Sequence, residues 1–291
     1  MEKFSHPGSM RLLFAALVLN LLAVASVAGA DVDVHQRIEE ALDRLYNFDF
    51  GGAHHLLDQH QKEAPADPVG PGFEAAAYLF YELDRLAILE SEFFQDDKNI
   101  SDKKKLKPDP LIRERLLDAL ERTENLATRR LEERPDDVRA LFALCLKEGV
   151  LTDYRALVEK KGISSLRNAR ASNEHAVRLL QIEPDFHDAY LTTGINEYLI
   201  GSLPFFIRWF VRMDGVQGSK RQAFVNLELV AEKGRYLGPF AKILLSIICL
   251  REKQPERARA LLAELSARYP ENRLLRKELA KVTRKLAQGE L

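Results

Sequence analysis

Four groups of residues have types and spacing that could support chemistry. The first is Gly215-Val216-Gln217-Gly218-Ser219-Lys220-Arg221. Backbone N–H groups at a helix start, with two cations beside them, can hold an anion. The same residues also read as a plain helix start, in which Ser219 and Gln222 form a capping box for a helix over 219–233. That reading needs no ligand. The second group is His54, His55, Asp58 and His60 on one helix. His54 and Asp58 stand four residues apart and share a face, as a two-ligand metal pair would. No matching pair is evident elsewhere, so the expectation is a solvated helix face and no metal.

The third group is Phe205, Phe206, Trp209, Phe210 and Met213, an apolar stripe opposed by Arg208 and Arg212. Four aromatics in six residues is more than a plain packing helix requires. The stripe suits a membrane-surface helix, a partner-binding ridge or the core of an inserted helix pair. The fourth group is Cys145 and Cys249, each in an apolar helical run. Both are expected to be buried free thiols, which pack as small hydrophobes. A disulfide is the alternative in an oxidising compartment.

The sequence lacks a zinc-protease motif, a serine-nucleophile elbow, a Walker A loop and a CxxC pair. No catalytic residue, metal or cofactor is therefore assigned. The chain has 43 basic and 44 acidic residues, so bulk charge gives no reason to bind nucleic acid.

The elements that would position these groups are helical. Ala, Leu, Glu and Arg dominate, and no strictly alternating strand pattern occurs. Arg11, the apolar run LLFAALVLNLLAVASVAGA and the small-residue ending Ala28-Gly29-Ala30 form a secretory signal peptide over residues 1–30, with Met10 a possible true start. The competing reading is an uncleaved anchor. Cleavage would leave 31–291 as the working domain, in the periplasm or outside the cell. Helices are expected over 35–47 and 51–63, joined at Phe48-Asp49-Phe50, and over 73–94. A charged loop over 95–108, carrying the sequon Asn99-Ile100-Ser101, leads to a helix capped by Asp109 with Pro110 in its first turn. That helix runs to about Glu133, and Asp137 starts the next.

Three segments then end alike, at ERPDD (133–137), IEPDF (182–186) and RYPEN (268–272). Ala258, Leu262 and Leu265 stand twelve, eight and five residues before Pro270. Ser172, Ala176 and Leu179 repeat these offsets before Pro184, which Tyr190 and Gly194 follow. Ala53, Leu57 and Pro65 make a first unit. This pattern resembles the tetratricopeptide repeat (TPR) family. The prolines stand 49 and 86 residues apart, not at multiples of the roughly 34-residue repeat, so helices are extended or pairs inserted. The segment over about 186–272, including GSLPFFIRWFVRMDGVQGSKRQAFVNLELVAEKGRYL, resembles exported bacterial TPR proteins. More distantly, it resembles the eukaryotic inclusion-body-clearance TPR family.

The resemblance implies an all-α, TPR-like α-solenoid of roughly five to six helical pairs, wound as a right-handed superhelix. Its concave wall would present Arg139, Phe142, Asp188, Leu191, Tyr198 and Arg251. The family's carboxylate clamp uses Lys and Asn; the corresponding positions here carry Asp188 and Thr192, so no clamp is expected. The expected function is a non-catalytic protein- or peptide-binding scaffold of the cell envelope, with Arg139, Asp188, Tyr198, Phe206, Arg208, Trp209, Arg212 and Arg251 as partner-binding residues. The alternatives are membrane-surface docking through 203–213 and an enzyme of unrecognised type, such as a carboxylate-dependent hydrolase.

Overall fold

The computed structural model describes residues 35–89, 107–202 and 218–290. The expectations for residues 1–30, for the charged loop over 95–106 and for the aromatic stripe at 203–213 lie outside these residues. Within them the chain is helical, and no strand occurs among the described residues.

Helix α1 covers residues 35–46. Phe48 ends it with a left-handed φ of 65°. Asp49 then caps α2 (Phe50–Glu63), its carboxylate accepting from the Gly52 N–H. Helix α3 (Val69–Arg85) starts and stops earlier than the expected 73–94. Its Val-Gly-Pro-Gly opening reads as a turn, but proline is tolerated in a first helical turn. The glycines serve close approach: a Cβ on Gly70 would meet the His60 ring at 2.6 Å. The helix ends at Ala87, which takes φ 57° while the Ile88 N–H reaches back to the Leu83 carbonyl.

Asp109 and Pro110 open α4 (Pro110–Glu133) as expected, and Asp137 caps α5 (Val138–Asp153). A wide π-turn over Tyr154–Val158 follows, then α6 (Gly162–Ile182). A short 3-10 turn over His187–Ala189 leads into α7 (Tyr190–Gly201). The remaining helices are α8 (Lys220–Lys233), α9 (Gly238–Arg251), α10 (Pro255–Arg268) and α11 (Arg273–Gln288). From α2 to α11, helices consecutive among the described residues pack on one another, and α3 also packs on α5. This succession is that of an α-solenoid. Small residues permit the close contacts: Ala53, Ala176 and Ala258 are fully buried, and a Cβ on Gly194 would meet Leu227 at 2.9 Å.

The succession also closes on itself. Asn272 donates to the Tyr46 carbonyl (2.7 Å) at the end of α1. The Glu271 N–H donates to Asn47 Oδ1 (3.3 Å), and Tyr269 donates its hydroxyl proton to Asp43 (3.0 Å). Arg273 pairs with Asp84 of α3 at 2.7 Å. The first and last described helices are thus tied across the sequence, and their apolar faces join one core. Cys145 and Cys249 are buried free thiols, as expected.

Candidate functional site

Closure decides what the expected concave wall does. Phe142 is 2 % exposed, Asp188 4 %, Leu191 7 % and Tyr198 6 %. These four residues are buried in the described structure, and the α8–α9 loop folds onto Asp188. Asp188 accepts backbone N–H groups of that loop from Arg235 (3.0 Å), Tyr236 (3.1 Å) and Leu237 (2.7 Å). It is a loop anchor. Burial still raises its pKa, with the three N–H groups opposing the shift.

The anchored loop inserts Tyr236 among Phe73 (centroids 5.5 Å apart) and Phe142 (5.8 Å, nearly parallel). The Tyr236 hydroxyl bonds the His35 ring and lies 3.5 Å from Arg139 Nη1. Arg139, also expected on the wall, is engaged within the chain. It grips Asp67 through both carboxylate oxygens, with Nη2–Oδ2 at 2.7 Å. Asp67 also bonds His60 Nε2 at 2.7 Å. Burial alone would raise the Asp67 pKa, but hydrogen bonds and charge from His60 and Arg139 hold it far below the usual carboxylate range. Desolvation lowers the Arg139 pKa, but the Asp67 carboxylate, with Tyr236, more than offsets it and holds it above the ordinary value. Arg139, Asp67 and the rings plug one end of the closed array.

This placement corrects the solvated reading of the histidine face. His60 is 1 % exposed and belongs to the plug. The His54 ring lies tilted against Tyr78 with centroids 4.1 Å apart, and burial lowers its pKa. No group of residues able to hold a metal occurs among the described residues. At the glycine-rich loop, Ser219 does accept from the Gln222 N–H (3.2 Å). The capping box is only half formed, because the Gln222 side chain turns to Asn226 and the Ser219 N–H donates to Glu197.

Beyond the plug lie two adjacent cavity lobes, of about 130 and 290 Å³, that share part of their lining. Their shared wall is Leu45, Tyr46, Leu79, Phe80, Asp153, Ile195 and Phe240, drawn from α1, α3, α5, α7 and α9. Phe80 and Phe240 meet edge to face at 5.4 Å. Ile243, Leu244, Ile247 and Leu275 extend the larger lobe. Its polar margin is Arg251, Glu278, Ser246 and Asn272, and Leu199, 57 % exposed, stands at its outer edge. Of the expected binding residues, Tyr198 and Arg251 line this lobe, and Asp188 lines the smaller one. Tyr198 is held by a bond to Glu252 at 2.9 Å. Phe206, Arg208, Trp209 and Arg212 lie outside the described residues.

Asp153 is the exception in this apolar wall. It ends α5, just where the helix widens so that the Glu159 N–H reaches the Tyr154 carbonyl (3.0 Å). Such π-turns are rare and frequent at functional sites. No hydrogen bond or ion pair satisfies the Asp153 side chain among the described residues. Desolvation, unopposed, pushes its pKa up to about 7. Sequence inspection passed it over, although a signal was present. Leu146, Val150 and Asp153 follow i, i+4, i+7 spacing, which puts a carboxylate on an apolar stripe.

No protein-family model, curated protein or solved structure gives a significant match to this chain.

Proposed function

We propose that this protein is a non-catalytic binding protein whose ligand is an apolar chain held in the two-lobed cavity. The observation that supports it is that the two adjacent lobes share one largely apolar wall. An apolar space of this size is poorly hydrated, and filling it with hydrocarbon is favourable. Its combined extent reaches the range of small-molecule sites, roughly 300–1,000 Å³. In this reading the helical pairs are TPR-like units, supported by the buried Ala53, Ala176 and Ala258 at the repeat positions. The scaffold expected from the sequence then holds its partner inside the superhelix. Export by residues 1–30 remains part of the proposal and is tested by an N-terminus at Asp31 in the native protein. No helix among the described residues is long and apolar enough to cross a membrane.

The test is binding of the uncharged fluorophore N-phenylnaphthylamine, displaced by dodecanol below its solubility limit. Saturable binding is expected for the full chain. Ile195→Trp, which places an indole between the lobes, should abolish it while the helical circular dichroism signal stays unchanged. Binding that survives this substitution, or no binding at all, overturns the reading.

A second reading rests on Leu199, whose exposure marks an apolar surface on the last turns of α7. A partner or membrane docking through 203–213 would continue from that surface, using Phe206, Arg208, Trp209 and Arg212. Trp209 is the only tryptophan, so a blue shift of its emission on adding anionic vesicles would support this reading. Emission that is already blue and quencher-shielded without them would remove it.

A further inference from the structure

We infer that Asp153 is the polar anchor of the cavity, and that the preferred occupant is a long-chain amine whose ammonium group pairs with the Asp153 carboxylate at the junction of the lobes. The inference rests on the apolar-ligand reading above and names its ligand class. It starts from the place of a carboxylate. Asp153 is half-buried in a largely apolar wall, lines both lobes and makes no side-chain hydrogen bond or ion pair to the described residues.

The other ionisable groups of the walls are already engaged. Asp188 is saturated by backbone N–H groups, Tyr198 bonds Glu252, Tyr46 bonds the Tyr236 carbonyl, and Glu278 pairs with Lys281 at 2.8 Å. Arg251 of α9 sits at the margin of the larger lobe only, and the buried Cys145 thiol bonds Ser172 and Thr192. The wall groups therefore supply Asp153 with no donor, and a ligand that carries one would replace water at the carboxylate. Asp153 lines both lobes, so a head bonded to it leaves apolar space for a tail.

Three head groups differ in what they offer. An ammonium supplies three donors and an opposite charge, and charge attraction is strong where water is excluded. A hydroxyl supplies one donor. A carboxylate brings a second like charge to the same small space, which disfavours binding unless one of the two is protonated.

The experiment compares dodecylamine, dodecanol and dodecanoate by displacement of N-phenylnaphthylamine from the full chain. At about pH 8, dodecylamine should bind at least about tenfold more tightly than dodecanol, and dodecanoate should bind weakest. The preference for the amine should shrink as pH falls to about 5.5, because Asp153 then takes up its proton. Asp153→Asn should keep dodecanol binding, which shows an intact cavity, and bring the amine-to-alcohol ratio close to one. An equal ratio in both proteins, or an amine preference that Asp153→Asn leaves in place, overturns the inference alone. Failure of all three chains to bind overturns the cavity reading and the inference with it.

Discussion

Asp67 and Asp153 are two aspartates held inside the same closed helical array, and they are treated in opposite ways. Asp67 meets both arms of the Arg139 guanidinium and the His60 ring. Asp153 shares its cavity wall with leucine, isoleucine and phenylalanine side chains and has no bonding partner among the described residues. The first is a structural charge, since its removal would leave a cation stranded. The second weakens the fold as long as it is ionised and unaccompanied. A folded chain retains such a group at the cost of some stability, and here it lies where a ligand could satisfy it. The difference separates a buried charge that holds the protein together from one that is available for binding.

The largest expected effect breaks the Asp67 side of the comparison. Arg139→Met should lower unfolding stability by roughly 3–5 kcal/mol, read from urea denaturation, because Asp67 is left buried and incompletely paired. Adding Asp67→Asn to Arg139→Met should recover much of the loss, since the uncompensated charge is then gone. A single Arg139→Met protein as stable as the parent would remove the distinction.

Asp153→Asn should act in the reverse direction and raise stability at about pH 8. The shift from 3.8 to about 7 sets an upper limit of about 4 kcal/mol on the gain. The pH dependence has opposite signs at the two sites. For Asp153 the folded pKa exceeds the unfolded one, so stability declines as pH rises from about 4 to about 7 and stays low above that. For Asp67 the folded pKa lies below the unfolded 3.8, so its contribution is full above that value and is lost on further acidification. Thermal unfolding of the parent and Asp153→Asn across this range should show the first slope only in the parent.

The smallest effect concerns Tyr154, next to Asp153 on the π-turn. Its hydroxyl is buried with no hydrogen-bond partner among the described residues, and desolvation raises its pKa to about 12. Tyr154→Phe should therefore leave stability unchanged or raise it by up to about 1 kcal/mol. A loss larger than that would mean the hydroxyl is bonded in solution. It would also reduce the contrast between a π-turn built for Asp153 and an ordinary helix end.

Local chemistry made much of the helical succession legible in advance. Asp109 with Pro110, and Asp137 ahead of an apolar run, marked the starts of α4 and α5 because capping is decided within a few residues. Ala53, Ala176 and Ala258 marked buried small positions because helix packing repeats along the chain. The early start and end of α3 were not legible. Val-Gly-Pro-Gly signals a turn locally, and only packing against His60 and Leu146 draws it into a helix.

The sequence by itself determined that the described residues are helical, where α1, α2, α4, α5 and α8 begin, and that Cys145 and Cys249 are buried. These follow from periodicity and capping, which act over a few residues. The tertiary structure decided what the wall residues do. Asp188 reads as a surface charge until the loop at 235–237 folds onto it, and Arg139 reads as a free cation until Asp67 meets it. Asp153 becomes a candidate anchor only because α1, α3, α7 and α9 enclose the space beside it. Contacts across 190 residues or more, such as Tyr46 with Tyr236 and Tyr269 with Asp43, create that enclosure. No local pattern encodes them, because each partner's role depends on where the packed helices bring the other.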